Sequence, residues 1–362
     1  MKGKRLRIAV ISFFLCCLFG CAHKEKIPPS SHPRELSLPP DLVKQVLFLD
    51  PDALSEKEVS GVLSRCPAPR ILALDGSIPI VSMESFAKFL IRMGYPEESV
   101  RSPATGSYSY SSYLSSKKMA GVIAWYYEKE GMMPMVVGQS QGGMLSIKIL
   151  HEFAGTFNEK ITVWNPYTDR SEDRHAIVDP LTGHERPVVG IKLSYASAIA
   201  TGKLMRVFLG QWDMLSRLRR IPDSVEEFTG FHIQYDPISG TLFGVGQGDH
   251  YAAIGSAVVR NVILPAESRH LSVPFTEDLA KDREAREWIH RYTASSPPPQ
   301  ETKDFYRDKK NILLAADLWY SIRKHWCIEL KRWILAKENR HKRSVRGRDP
   351  IFETGVVSPE KP

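Results

Sequence analysis

Between residues 70 and 292, short apolar runs alternate with longer stretches whose apolar residues recur every three or four positions. Residues 70–74 (Arg-Ile-Leu-Ala-Leu) are closed by Asp75-Gly76, the pattern of a buried strand ending in a turn. Phe86, Phe89, Leu90 and Met93 then fall at helical spacing, and Gly94 supplies a stop, which predicts a helix over 83–93. Met119, Val122, Ile123, Trp125 and Tyr126 predict a second helix over 113–129. A strand at 135–137 leads into a helix at 142–153, and the runs at 161–164, 205–209 and 242–245 continue the strand series. Leu279, Trp288, Ile289 and Tyr292 predict a closing helix over 277–292. Strands alternating with helices of this length imply βαβ units, hence an α/β fold with a mostly parallel central sheet covered by helices on both faces.

The two ends carry different patterns. Lys2, Lys4, Arg5 and Arg7 precede a mostly apolar run, Ile8 to Gly20, that is short for a membrane span but suited to a signal peptide. Its close, Leu18-Phe19-Gly20-Cys21, resembles the bacterial lipoprotein signal, with Phe19 bulkier than usual at its position. That resemblance implies removal of residues 1–20, acylation of Cys21 and a location in the bacterial cell envelope, lipid-anchored, with the folded part outside the cytoplasm. Residues 21–40, with Pro28, Pro29, Pro33, Pro39 and Pro40, then read as a semi-rigid tether. Past a Pro-rich linker at 293–304, Leu313, Trp319, Ile322, Trp326, Leu330, Trp333 and Ile334 recur at helical spacing. Arg323, Lys324, Lys331 and Arg332 occupy other faces of this basic amphipathic helix, within 305–349. Such a helix either lies in an anionic membrane interface or packs its stripe on the preceding domain, 41–292. Residues 350–362 read as a disordered end.

Charge changes the picture only by its location. The formal net charge is +8, yet residues 1–20 carry +4 and residues 306–362 carry +7. The stretch from 21 to 305 holds 31 basic against 34 acidic residues, or −3. Nucleic acid is therefore not an expected partner, and no recognition module is evident. Cys66 and Cys327 remain after the signal; they either pair in an oxidising compartment or are small buried residues. No CxxC or HExxH pattern points to a metal, and no cofactor is implied.

The chemistry concentrates in Gly138-Gln139-Ser140-Gln141-Gly142-Gly143, which an apolar strand enters and an amphipathic helix leaves. A serine on a tight strand-to-helix turn needs small neighbours two residues away on each side, here Gly138 and Gly142, because strand and helix pass close to them. Here the chain resembles the α/β-hydrolase superfamily of serine esterases and lipases, over roughly residues 70–292. The resemblance implies Ser140 as nucleophile and the chain order nucleophile, acid, base. For the acid it favours Asp213, in Val207-Phe208-Leu209-Gly210-Gln211-Trp212-Asp213, with Asp236 as the rival and Asp169 third. For the base it favours His250, which follows the run at 242–245 and opens an apolar segment at 252–259. His270, His290, His325 and His341 fall beyond that strand. The implied oxyanion donors are the N–H of Gln141 and a backbone N–H near Gly76 and Ser77. Many members have His-Gly where this chain has Asp75-Gly76, and a carboxylate there opposes a developing anion unless it points away.

The expected activity is cleavage of a carboxylic ester or thioester, on a small-molecule or lipid substrate, through an acyl-enzyme. An acyltransferase with the same triad differs only in its acceptor. A binding or scaffold lipoprotein that keeps the fold without catalysis is the reading that Asp75 favours. The polar excursion at 168–187 and the Ser- and Tyr-rich segment at 107–116 do not identify an acyl or alcohol group.

Overall fold

A computed structural model describes residues 38–77, 81–157, 159–202, 212–294, 301 and 303–346, with side chains through 340. The signal segment, Cys21, the tether up to residue 37, the expected strand at 205–209 and the end from 347 lie outside the described residues.

Five strands form one sheet: β1 (Ile71–Leu74), β2 (Met135–Gln139), β3 (Leu193–Ile199), β4 (Val225–Ile233) and β5 (Val258–Leu264). They lie side by side in chain order and every pairing is parallel, with Ile71 opposite Met135, Val136 opposite Ala196, Leu193 opposite Val225 and Glu227 opposite Val258. Right-handed crossovers that always step in one direction put their helices on one face of a sheet. The helices α3 (Ser116–Glu130) and α4 (Gln141–Phe153) accordingly share a core with Leu72, Leu74, Val136, Ala196 and Phe228. The other face of the same strands, Ile71, Ala73, Met135, Val137, Tyr195 and Phe231, needs separate cover. That cover comes from α1 (Pro40–Phe48), α2 (Glu84–Arg92), α5 (Arg283–Arg291) and above all α6 (Ile312–Arg346).

The tryptophan stripe of the C-terminal helix therefore belongs to the protein core. Trp319 and Trp326 are fully buried, and Trp326 donates its indole N–H to the Pro67 carbonyl at 2.9 Å. The helix cations are engaged as well: Arg323 with the His290 and Tyr292 carbonyls, Lys324 with Asp52 and Glu227, Arg332 with Glu226 and Glu329, Lys331 with the Leu49 carbonyl. Of the two expected arrangements, the stripe takes the one in which it packs on the preceding domain. No helix among the described residues is long and apolar enough to cross a membrane. Cys66 and Cys327 are both free and buried, and burial pushes each thiol up to about 11.

Two expected strands are not part of the sheet. The run at 161–164 contributes only to a small hairpin, Trp164–Asn165 with Arg170–Ser171, and 242–245 is turn. The true third, fourth and fifth strands carry buried or half-buried polar residues, and several of those on β4 and β5 find partners inside the protein. Arg260 of β5 makes a two-pronged contact with Asp317 of α6 at 2.8 and 2.9 Å and reaches Glu227 and Thr229 of β4. Burial opposes charge on Glu227, but His325, Lys324 and Arg260 outweigh it and hold this carboxyl down at about 2.

A buried histidine adds to the acid sensitivity of this core. Burial, with Arg219 and His250 adding to it, lowers His232 from 6.5 to about 4, although its ring also meets Asn261 at 3.0 Å. The unfolded chain then binds the proton first, so the penalty is absent above pH 6.5, grows between 6.5 and 4, and is complete below 4. Thermal melts should show Tm falling across that window, with a shallower fall in His232→Gln; an equally steep fall in the variant would remove His232 from the account.

Candidate active site

The turn between β2 and α4 is built on backbone-to-backbone contact. A Cβ placed on Gly138 would sit 2.2 Å from the Gly142 carbonyl oxygen, and one on Gly142 would sit 2.3 Å from the Leu74 carbonyl oxygen of β1. Neither leaves room for any side chain. Squeezed between them, Ser140 takes φ 53° and ψ −112°, a strained conformation for a residue with a Cβ. Its N–H is satisfied by the Ile199 carbonyl of the neighbouring β3 at 2.7 Å. The hydroxyl is delivered to the carboxyl edge of the sheet, at the head of α4.

There it meets His270, not His250. The Ser140 hydroxyl lies 2.9 Å from Nε2 of His270, and Nδ1 of the same ring lies 2.7 Å from the Asp236 carboxylate. With a neutral ring, Nδ1–H donates to Asp236 and the Ser140 O–H donates to Nε2, which is the arrangement needed to deprotonate the serine. All three side chains are buried, Ser140 being 7% exposed. Asp236 sits just past β4, where its second oxygen accepts the Ile238 N–H at 2.9 Å and its backbone closes a turn with Thr241. Burial raises the cost of its charge, but the hydrogen bond from His270 and the neighbouring donors prevail and hold the carboxyl below its ordinary value.

The candidates favoured from sequence are engaged elsewhere. Asp213 pairs with Lys148 of α4 at 2.6 Å, and its carboxylate is 38% exposed. His250 follows a helical turn at Gln247–Asp249 and faces His232, ring centres 5.7 Å apart. Asp169 is taken by Lys118 and the Trp164 indole. The serine, aspartate and histidine that the structure joins stand in the chain at 140, 236 and 270, after β2, β4 and β5 respectively. The run at 242–245 is not the last strand, because β5 follows it, and the histidine after β5 is His270. The β-branched residues Val258, Val259, Val262 and Ile263 are the sequence signal for β5, interrupted by Arg260 and Asn261.

The loop after β1, with Gly76 and Ser77, lines the same small cavity as Ser140. As the first residue of α4, Gln141 has an N–H without an intrahelical acceptor. The loop after β1 is pinned by Ser112, which donates to the Gly76 carbonyl at 3.1 Å, and by Tyr113, whose hydroxyl donates to the Ser77 carbonyl at 2.9 Å. Asp75 points away from the site. Its carboxylate accepts the Met83 N–H at 2.7 Å, at the start of α2, and the Ser109 hydroxyl at 3.1 Å. Burial still raises this carboxyl above its ordinary value. Gly76 is needed for space, since a Cβ there would lie 2.3 Å from Oε1 of Gln139. Gln139 in turn donates to the His270 carbonyl at 3.1 Å. Sequence reasoning passed over Gln139, although it adjoins the serine; its side-chain N–H ties the elbow to the backbone of His270. A small cavity of about 60 Å³ opens over Ser140 and His270, with Val81, Ile238 and Leu271 as its apolar wall.

Among the described residues, no group of three or more His, Cys, Asp or Glu side chains converges as a metal site. No family model, curated protein or solved structure matches this chain.

The elbow makes a stability forecast with an internal control. Gly142→Ala should lower unfolding free energy by about 3 kcal/mol, the upper range of overpacking costs, because the clash is with backbone that cannot swing aside. Gly61→Ala, at the end of a short helix with open space around it, should be neutral within about 0.5 kcal/mol. Equal urea midpoints for the two variants would contradict the close-approach account.

Proposed function

We propose that the protein is a serine hydrolase of the α/β-hydrolase type that cleaves a carboxylic ester or thioester through an acyl-enzyme. The observation that carries this reading is the continuous hydrogen-bonded line from Ser140 through His270 to Asp236, at 2.9 and 2.7 Å, on a positive-φ elbow. In this reading His270 takes the proton as the Ser140 oxygen attacks the acyl carbon. Asp236 holds the ring in the right tautomer and stabilises the imidazolium. The negative oxygen of the tetrahedral intermediate is met by the N–H of Gln141, aided by the positive end of α4, and by a backbone N–H of the Gly76–Ser77 loop. His270 returns the proton to the leaving alcohol or thiol. Water, deprotonated by the same ring, then releases the acid. The apolar wall at Val81, Ile238 and Leu271 suits the acyl side. The orientation of Asp75 removes the feature that favoured a non-catalytic scaffold.

Labelling with a fluorophosphonate probe tests the nucleophile on the purified full chain in detergent. The unmutated protein should be labelled and Ser140→Ala should not; equal labelling sinks the reading. On a short-chain ester, His270→Ala and Asp236→Asn should each lower kcat by about 10⁴-fold, the loss typical when a triad loses its base or its tautomer control. Asp213→Asn and His250→Gln should stay within about threefold of the unmutated rate, an effect below about 0.7 kcal/mol. A large loss at Asp213 or His250 with activity kept at Asp236 or His270 would reverse the assignment.

The same proposal includes membrane anchorage through lipid on Cys21. Cells fed radiolabelled palmitate should label the chain, and Cys21→Ala should abolish the label; label that survives the substitution refutes the anchor.

A further inference from the structure

The two edges of the sheet are finished differently. Beyond β1, Tyr110 takes the place of a further strand: its N–H donates to the Ala73 carbonyl at 2.8 Å, and its carbonyl accepts the Asp75 N–H at 2.9 Å. At the other side of the sheet, β5 pairs with β4 alone. The Leu264 carbonyl accepts the Gln234 N–H, which turns this residue towards β4. Successive residues of a parallel strand turn their backbone groups to opposite sides, so Val258, Arg260 and Val262 also face β4, while Val259, Asn261 and Ile263 face outward. Among the described residues, no hydrogen bond reaches the backbone N–H or carbonyl of these outward three.

Nothing in the strand blunts this edge. Open edges are ordinarily protected by proline, by a bulge or by a charge. β5 runs for 7 residues without proline and keeps an unbroken register with β4. Its one charge, Arg260, is already answered by Asp317 and Glu227. The side chains are open too: Val258 is 58% and Ile263 40% exposed, on opposite faces of the sheet. The sequence of β5 suits a second β5 running antiparallel to it. A hydrogen-bonded pair needs an outward residue on each strand. With a two-fold axis at Asn261, Asn261 faces its own copy and Val259 faces Ile263 twice, so every outward residue is bonded. Between them Val258 meets Leu264 and Arg260 meets Val262, with no like charges opposed. A slip to the next bonded register in one direction sets Arg260 opposite Arg260; in the other it sets Val259 opposite Pro265, which has no N–H.

We propose that β5 is a dimerisation edge, on which a second copy of this chain pairs antiparallel about a two-fold axis at Asn261 and joins the two five-stranded sheets into one. The pairing gives a partner to the outward N–H and carbonyl groups of Val259, Asn261 and Ile263 and covers the exposed side chains of Val258 and Ile263 in both copies. The proposal does not depend on the chemistry assigned to Ser140, because β3 and β4 stand between β5 and the strand that carries the elbow. Three bonded pairs make a small interface, which places the association among the weaker, micromolar ones.

The experiment reads mass and register on the purified full chain, in detergent with micelles in excess over chains. Sedimentation velocity over about 1 to 100 μM should show the mass rising from monomer to dimer and no further. Ile263→Lys, at an exposed position that faces Val259 of the second copy, should weaken the dimer about tenfold or more. For the register, Val259→Cys and Ile263→Cys proteins are oxidised with diamide, each alone and as a mixture. Facing residues of a bonded antiparallel pair have Cα atoms about 5.5 Å apart, within the span of a disulfide. The mixture should give a dimer that a reductant splits, and neither variant alone should do so. A monomer at every concentration overturns the proposal. So does a mixture that cross-links no better than the separate variants. The mass of the unmutated protein and the mixed cross-link decide the question even where Ile263→Lys fails to fold.

Discussion

The contact on which the rest depends is between two stretches of bare backbone. Gly138 and Gly142 bring β2, α4 and the end of β1 so close that their missing Cβ atoms would overlap carbonyl oxygens at 2.2 and 2.3 Å. Ser140 has no freedom left except a positive φ, a conformation that costs a non-glycine residue about 1–3 kcal/mol. That strain persists because the two cores on either side of the sheet over-determine the position of strand and helix. It delivers a hydroxyl at the head of a helix, within reach of whatever the next strands carry at their carboxyl ends. The adjacency of β3, β4 and β5 then decides which residues those are.

The winding of the sheet explains the length of the chain beyond the last strand. Five parallel strands added in one direction put α3 and α4 on one face and leave the other to be closed by α1, which precedes the sheet, by α2, which lies within the first crossover, and by α5 and α6, which follow the last strand. The C-terminal helix supplies that closure, and its tryptophans are as much core as any residue of the sheet. Its docking is fixed by charge as well as by shape. Asp317 is fully buried against Arg260, with Tyr292 donating to the same carboxylate at 2.8 Å. A buried pair of this kind adds little net stability over an apolar pair, yet removing one partner costs about 3–5 kcal/mol. Its effect is to set one register of helix on sheet and to exclude the others.

What was legible in the sequence follows from where polar residues sit. The elements at 71–74, 84–92, 116–130, 135–139 and 141–153 announce themselves because apolar residues at strand or helical spacing dominate their buried faces. So does the C-terminal helix, although amphipathicity alone does not say whether its stripe meets lipid or protein. The strands β3, β4 and β5 hide because Ser194, Ser197, Glu227, Thr229, His232, Arg260 and Asn261 interrupt the apolar pattern. Several of these are satisfied by residues far along the chain, such as Asp317 and His325, which no local window contains. The consequence reached the site directly. A rule that places acid and base after particular strands points to Asp213 when a strand is expected at 205–209 and to His250 when 242–245 is taken for the last strand, whereas the side chains that line up behind Ser140 are those of His270 and Asp236.

Asp75 shows how a departure in sequence can be structural in origin. Two helices present their positive ends near the carboxyl edge of the sheet, α2 and α4. The Asp75 carboxylate answers the first of these by accepting the Met83 N–H, and it stays there despite a burial that raises its pKa. Its negative charge is thereby turned towards α2 and the serine cluster at Ser109, leaving the field of α4 unopposed at Gln141. The loop that carries it gains rigidity from the same bonds, since Asp75 holds its start while Ser112 and Tyr113 hold the carbonyls that follow. Under the proposed mechanism, the Gly76–Ser77 backbone held in this way would meet a transient oxyanion without reorganisation, the property that its electrostatic stabilisation requires. The carboxylate that looked least compatible with an anion-binding loop is one of the groups that holds the loop in place.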